Sequence, residues 1–287
     1  GPFKTLFGLI VIFNKQPITS DGVSGLFSNP NYTGLWLSMS LPILLFLISK
    51  YKLLNNKKLI LFLILISFIY VIFLTMSRNA MAALLSTFLI IFGIKKILFF
   101  VFFIFFIYIS IGILDPFIKI ENLVGEFQFQ NLISKLRIDK LSNIFEFTRI
   151  KIWINTLSLI FQRPIFGFGA STFPIVFYNL TNFEMQHSHN MPLQIAYDYG
   201  LPLSIILTFF VTFLFLRSLT IIFETKDFGD SFLFNKCWLA ACLVAILNHI
   251  NDITYYDGKI SILIWIFLAR LKCILDETTQ IKNKTKI

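Results

Sequence analysis

Apolar residues run along this chain in long uncharged stretches, broken by short polar or basic turns. Runs near 33–49, 59–76, 79–94, 97–114, 192–216, 237–250 and 259–274 are the segments that can cross a hydrocarbon core, which is about 30 Å thick and takes a helix of about 20 residues. The pattern predicts seven membrane helices. The run 237–250 is short and 79–94 is barely long enough, so each needs tilt or flanking residues to span. Between 115 and 191 the long apolar runs give way to mixed sequence. Within it, Lys119 to Lys140 mixes charges of both signs with little periodicity and reads as a solvated, partly helical surface. Ile144 to Arg163 is amphipathic, with Arg149, Lys151 and Trp153 near its start, as expected of a helix lying in the membrane interface. Pro164 stops it, and Gly167-Phe168-Gly169 permits a tight turn or a close approach of backbone to a ligand.

The fold class expected is therefore all-α, a polytopic membrane helix bundle with one long extracytoplasmic loop containing interfacial helices. Its parts are membrane helices over 1–114, the loop over 115–191, membrane helices over 192–275 and a cytoplasmic tail over 276–287. The chain starts at Gly1 without an initiator Met, and residues 3–13 look like a severed or interfacial helix. Further N-terminal spans are expected upstream.

Composition turns the periodicity into a solvent assignment. Hydrophobic residues make up 56% of the chain, 36 of its residues are Phe and the mean hydropathy is +0.78, more apolar surface than a soluble core hides. Lys50, Lys52, Lys57 and Lys58 share one short connection, Lys95 and Lys96 the next turn on that side, and Arg270, Lys272, Lys282, Lys284 and Lys286 the tail. Positive loops face the cytoplasm. Asn29 to Asn31, Arg78, the segment 115–191 and Asn251 to Gly258 then share the opposite face. The net charge of +10 thus reads as topology and attraction to lipid headgroups, not as nucleic-acid binding. Cys237, Cys242 and Cys273 lie in or beside spans in an odd count, which indicates buried packing residues and no disulfide framework.

Chemistry concentrates in His187-Ser188-His189-Asn190, at the mouth of an apolar run. A neutral imidazole there can accept a proton at a membrane surface, cap a helix or ligate a metal. For a metal, the sequence offers no neighbouring Cys or third His, and Glu184 is the only nearby acid. Arg78, between two apolar runs, is either an anion-binding group or a cation snorkelling to lipid phosphate. Asp257-Gly258 and Asn29-Pro30-Asn31 read as turn or helix-start chemistry, the latter because Asn is a good N-cap. Asn248, His249, Asn251 and Asp252 cluster at a helix end.

The order Phe27-Ser28-Asn29-Pro30-Asn31, Ser77-Arg78-Asn79-Ala80, Arg149 four residues before Trp153, Pro164 with Gly167 and Gly169, then His189-Asn190 with Gly200 resembles the O-antigen ligase and polymerase superfamily. The closing Asn251-Asp252-Ile253-Thr254-Tyr255-Tyr256-Asp257-Gly258 before Trp265 is similar to a cyanobacterial branch once described as inorganic-carbon transporters. The resemblance covers nearly the whole chain, apart from the family's N-terminal spans. It implies an inner-membrane glycosyltransferase, a ligase or polymerase, that moves a glycan from an undecaprenyl-diphosphate donor to a hydroxyl on a lipid or glycan acceptor. The active face would be extracytoplasmic.

Such a transfer already has a good leaving group, so the protein must stabilise diphosphate charge and deprotonate the acceptor. Arginine suits the first task because its planar fork binds phosphate oxygens in pairs, which makes Arg78 and Arg149 the donor-binding candidates. His189 is the catalytic candidate for the second, with His187 and Asn190 in support. Asn31, Asp252 and Asp257 are assigned to acceptor recognition or structure. The resemblance implies no metal and no other cofactor. Partners expected are the lipid-linked glycan, its acceptor and membrane lipids. Two other classes use the same features: a small-anion transporter of bicarbonate type, which would need a path to both membrane sides, and a non-catalytic component of polysaccharide export, in which His189 would be dispensable.

Overall fold

The computed structural model describes residues 22–25, 27, 29–51, 56–93, 95–96, 149–224 and 229–284. Two compact units divide the chain, one formed by 1–91 with 152–287 and the other by 92–151. Of the second, the described residues are 92–93, 95–96 and 149–151, helical apart from Gly93. The predicted span 97–114 and the stretch Lys119 to Lys140 lie outside the described residues.

The described residues form helices and no strands. In chain order the helices are α1 (Pro30–Ser49), α2 (Asn56–Leu74), α3 (Arg78–Phe92), α4 (Arg149–Gln162), α5 (Phe173–Thr181), α6 (Met191–Tyr199), α7 (Leu201–Glu224), α8 (Asp230–Asn251) and α9 (Gly258–Lys284). Four of them, α1, α2, α7 and α8, are long and apolar enough to cross a membrane by length and composition. The fold is that of a polytopic helical membrane protein.

Several predicted spans change shape. The run 192–216 breaks at Gly200 into the nine-residue α6 and the 24-residue α7, because Gly200 takes φ +92° and a Cβ there would sit 1.9 Å from the Ile165 carbonyl oxygen. Helix α8 extends beyond the apolar run 237–250 at both ends and reaches 22 residues, so it needs no special tilt. Helix α3 has 15 residues, about 22 Å at 1.5 Å per residue, which is short for a complete crossing. The run 259–274 is part of the 27-residue α9; with Lys259, Arg270 and Lys272 in it, α9 is not among the four helices long and apolar enough to cross.

Packing places α1 and α8 at the centre of the first unit. Leu35 and Met39 of α1 meet Leu239, Ala241, Cys242, Val244 and Ala245 of α8, with Phe267 and Leu271 of α9 and Leu214 of α7 in the same core. Alanines let helix backbones approach closely where lipid supplies no hydrophobic drive. On the other side of α1, Leu37, Leu41 and Leu44 pack with Leu65 and Ile72 of α2 and Ala80 and Leu84 of α3. Helices α2 and α7 leave Leu59, Phe62, Leu63, Ile66, Ile205, Ile206 and Phe209 exposed, a surface suited to lipid and a liability in water. A separate small core joins Ile152, Leu159 and Ile160 of α4, Phe173 and Phe177 of α5, and Ala196 and Tyr197 of α6. Of the cysteines, Cys237 and Cys242 are buried as expected, whereas Cys273 is exposed on α9.

Candidate functional site

The site is built first by the way α6 begins. Asn190 is its N-cap, in an extended conformation, and its Oδ1 accepts from the Leu193 N–H at 3.0 Å. Pro192 follows in the first turn, where its missing N–H costs nothing. The Asn190 Nδ2 donates to the Ile250 carbonyl at 3.0 Å, tying this start to the end of α8. Ser188, fully buried, donates its N–H to Gln194 Oε1 and its Oγ–H to the Asn190 carbonyl, both at 2.9 Å. Between them His189 is held at φ +54°, a left-handed conformation that side-chain residues seldom adopt and that persists where its surroundings fix it. Its N–H donates to His187 Nδ1 at 3.3 Å, and the two rings meet edge to face at 4.3 Å between centroids.

The second contribution comes from the end of α8. Asp252 follows the last turn, its N–H donating to the Asn248 carbonyl at 2.8 Å. Its side chain is 6% exposed and its Oδ1 lies 3.3 Å from His189 Nδ1, whose side chain is 27% exposed. The same oxygen accepts the Ile253 N–H at 2.8 Å, and Oδ2 accepts Asn31 Nδ2 at 3.1 Å. Burial alone would raise this carboxyl. Hydrogen bonds from His189 and the Ile253 N–H, with the charges of both histidines, outweigh it and hold Asp252 below its ordinary pKa. Burial and the neighbouring His189 push His187 down to about 4 against the pull of Asp252.

Predicted residues therefore divide. His187, His189, Asn190, Asn31 and Asp252 converge. Asn31 sits in the first turn of α1, whose N-cap is Asn29. Asp257 does not join them: its Oδ1 accepts the Lys259 N–H at 2.9 Å and its carbonyl accepts from Ile260 and Ser261, the turn and helix-start role read from Asp257-Gly258. Arg78 is exposed at the first position of α3. The turn before it packs on α1, where a Cβ on Gly34 would meet Ala80 at 2.6 Å and Thr75 Oγ1 at 3.1 Å, and Ser38 donates to the Ala80 carbonyl. The start of α3, where Arg78 stands, thus lies beside Gly34, at the same end of α1 as Asn31. Arg149 is exposed at the first position of α4, in the second unit.

A second buried carboxylate supports this region, and sequence reasoning gave it no role. Asp198 of α6 is 3% exposed; Gln194 Nε2 donates to its Oδ1 at 3.0 Å and the Tyr256 hydroxyl to its Oδ2 at 3.2 Å. Burial raises its pKa despite both donors. Asp252 and Tyr256 belong to one short segment, which therefore holds α6 through Tyr256 and the histidine before its N-cap through Asp252. The available signal was a carboxylate four residues after Gln194, the helical spacing at which side chains meet. The Phe168 and Gly169 N–H groups close the other side, donating to the Tyr197 and Asp198 carbonyls at 2.8 and 2.9 Å. Gly167 is needed for that contact: a Cβ would lie 2.4 Å from the Tyr197 oxygen. The close approach made by Gly167-Phe168-Gly169 is to α6.

The tertiary fold also answers the question of a third ligand. One potential ligand atom from each of His187, His189 and Asp252 lies within 4.8 Å of the other two, so the acid beside the histidines is Asp252 and not Glu184.

The sequence model of the O-antigen ligase family matches residues 60–208, from α2 into α7. The chain belongs to the O-antigen ligase family. That match includes Arg78, Arg149, His187, His189 and Asn190 and ends before Asp252. Together with four helices among the described residues that are long and apolar enough to cross a membrane, membership makes this a multi-pass membrane protein of ligase or glycosyltransferase type, with lipid-linked glycans as its general substrate class. Comparison with curated proteins finds no match.

Proposed function

We propose that this O-antigen ligase family member transfers a glycan from an undecaprenyl-diphosphate donor to a hydroxyl of a lipid or glycan acceptor, at the extracytoplasmic face of the inner membrane. The observation that carries the reading is the pairing of His189 with a buried carboxylate, Asp252, at one end of apolar helices. Asp252 accepts from His189 Nδ1–H, which leaves the Nε2 lone pair free to take a proton. The acceptor oxygen attacks the sugar's anomeric carbon as its proton passes to Nε2. The bond from that carbon to the diphosphate breaks, and the lipid diphosphate leaves with the electron pair. Positive charge arising on the imidazole is stabilised by Asp252, itself held by Asn31 and the Ile253 N–H. Arg78 would bind diphosphate oxygens at the same end of the helices. Arg149, whose position falls within the residues the family model matches, is a second donor-binding candidate. Basic residues at the opposite end, Lys50, Lys57, Lys58 and Arg270, support a cytoplasmic assignment for that end.

The test is transfer by the purified chain from a lipid-diphosphate-linked oligosaccharide, with lipid A–core and the growing glycan offered as separate acceptors across a pH series. Transfer to the core identifies a ligase and transfer to glycan a polymerase. Absence of transfer to either, or full activity of His189→Ala, overturns the proposal.

A further inference from the structure

We propose that His187, His189 and Asp252 form an inhibitory site for a divalent transition-metal ion of the Zn2+ type, an inference that rests on the role given to His189 above. Two imidazoles and one carboxylate are a recurrent ligand set for zinc with an open fourth position. Here one potential ligand atom from each side chain already lies within 4.8 Å of the others. Backbone geometry brings the histidines together: His189 is left-handed and Asn190 extended, and the two rings end 4.3 Å apart. Asp252 is prepared as a ligand, because Asn31 Nδ2 and the Ile253 N–H hold its oxygens and fix the carboxylate as outer partners do in metal sites. Both histidines are part-exposed, which leaves an entry path. Bonds of about 2.0–2.2 Å draw ligand atoms closer than 4.8 Å, a closure that rotation of two partly exposed rings can supply.

Occupancy stops the chemistry whichever nitrogen of His189 binds. An ion on Nε2 takes the lone pair that receives the acceptor proton. An ion on Nδ1 displaces Asp252's hydrogen bond, and Nε2 then carries the ring's one proton and is no base. Mg2+, which prefers oxygen and keeps its water, has little use for two imidazoles.

The experiment adds Zn2+ or Mg2+ to the purified chain in a Cys273→Ser background, since that exposed thiol would compete for zinc. Bound metal is counted by elemental mass spectrometry and calorimetry, and transfer is assayed on the same samples. One Zn2+ per chain is expected, with transfer falling at least about tenfold as the site fills, recovery with chelator and no effect of Mg2+. His187→Gln and Asp252→Asn should each weaken zinc binding at least about tenfold, and His187→Gln should raise the half-inhibiting concentration in proportion. Thermal unfolding of each variant separates a lost ligand from a lost fold; should Asp252→Asn unfold, His187→Gln decides. Unsaturable binding, binding indifferent to both substitutions, or a filled site with undiminished transfer overturns the proposal. A chain that transfers nothing under any condition refutes the proposed function and the inhibition with it, while zinc stoichiometry and its dependence on His187 and Asp252 still decide the binding site.

Discussion

The two ends of the first unit hold their charges in opposite ways. At the end carrying Lys50 and Arg270, several cations rest on neighbours close in sequence or on exposed partners. Lys50 lies over the Phe46 ring, Arg270 donates to Asn235 and to the exposed Glu277, and Lys272 pairs with Asp276 one turn on. Even Lys236, the buried exception, has a backbone carbonyl, that of Ile91, and two aromatic rings beside it. Exposed pairs of this kind contribute about 0–1 kcal/mol, so substitution of the exposed cations at this end is expected to cost little. At the His189 end two buried carboxylates each accept side-chain hydrogen bonds, from groups as far as 221 residues away in sequence. Buried carboxylates are costly unless satisfied. That outlay has a structural return in fixing one strained histidine, and it marks where substitution does harm.

The sharpest way to break this comparison is all-or-none. In a Cys273→Ser background, Glu184→Cys should react with an impermeant thiol reagent from outside intact cells and Lys57→Cys should not; equal labelling would abolish the distinction between the ends. Next in size, His189→Ala should lower transfer about a hundredfold or more, the loss expected for a general base, with Lys57→Ala unchanged. Donor binding should survive, which a simple filter-binding measurement checks. Asp252→Asn keeps the shape but removes the charge that supports the imidazolium, so kcat should fall about ten- to a hundredfold with little change in KM. Arg78→Lys should cost about tenfold despite its conserved charge, because an ammonium cannot replace the paired guanidinium contacts; wild-type output from the Lys variant would leave headgroup anchoring as its role.

The smallest effect concerns pH. His187 is held at about 4 in the folded protein against an ordinary value of 6.5, so between those values the unfolded chain binds the proton and the folded chain does not. Stability should therefore fall as pH drops from about 6.5 towards 4. Asp252, also depressed, acts in the same direction at lower pH, its stabilisation being lost as pH falls through its folded value. Thermal melting across pH 4–7 should show a shallower decline for His187→Gln than for the native chain; identical slopes would mean that His187 is not held neutral.

Much of the architecture was open to reading from the chain alone, because its determinants are local. Continuous apolar runs dictate helices in a medium that cannot hydrogen-bond the backbone. Pro164 stops α4 after Gln162, Asn29 caps α1 and Asp257 caps α9 through contacts a few residues long. His189 and Asn190 stood out as candidates for the same reason: polar, titratable residues beside an apolar run need a cause. Tertiary structure decided what no local rule contains. The partner of His189 is 63 residues onward and that carboxylate's other side-chain donor 221 residues back, and sequence separation of that size carries no information about which helix ends meet. The same holds for Asp198, whose tyrosine partner is 58 residues away, and for Asp257, adjacent in sequence to the site segment yet turned to its own helix. Local backbone chemistry determined where α1, α6 and α9 begin; only the packing of α1, α6 and α8 determined which beginnings and ends share a site.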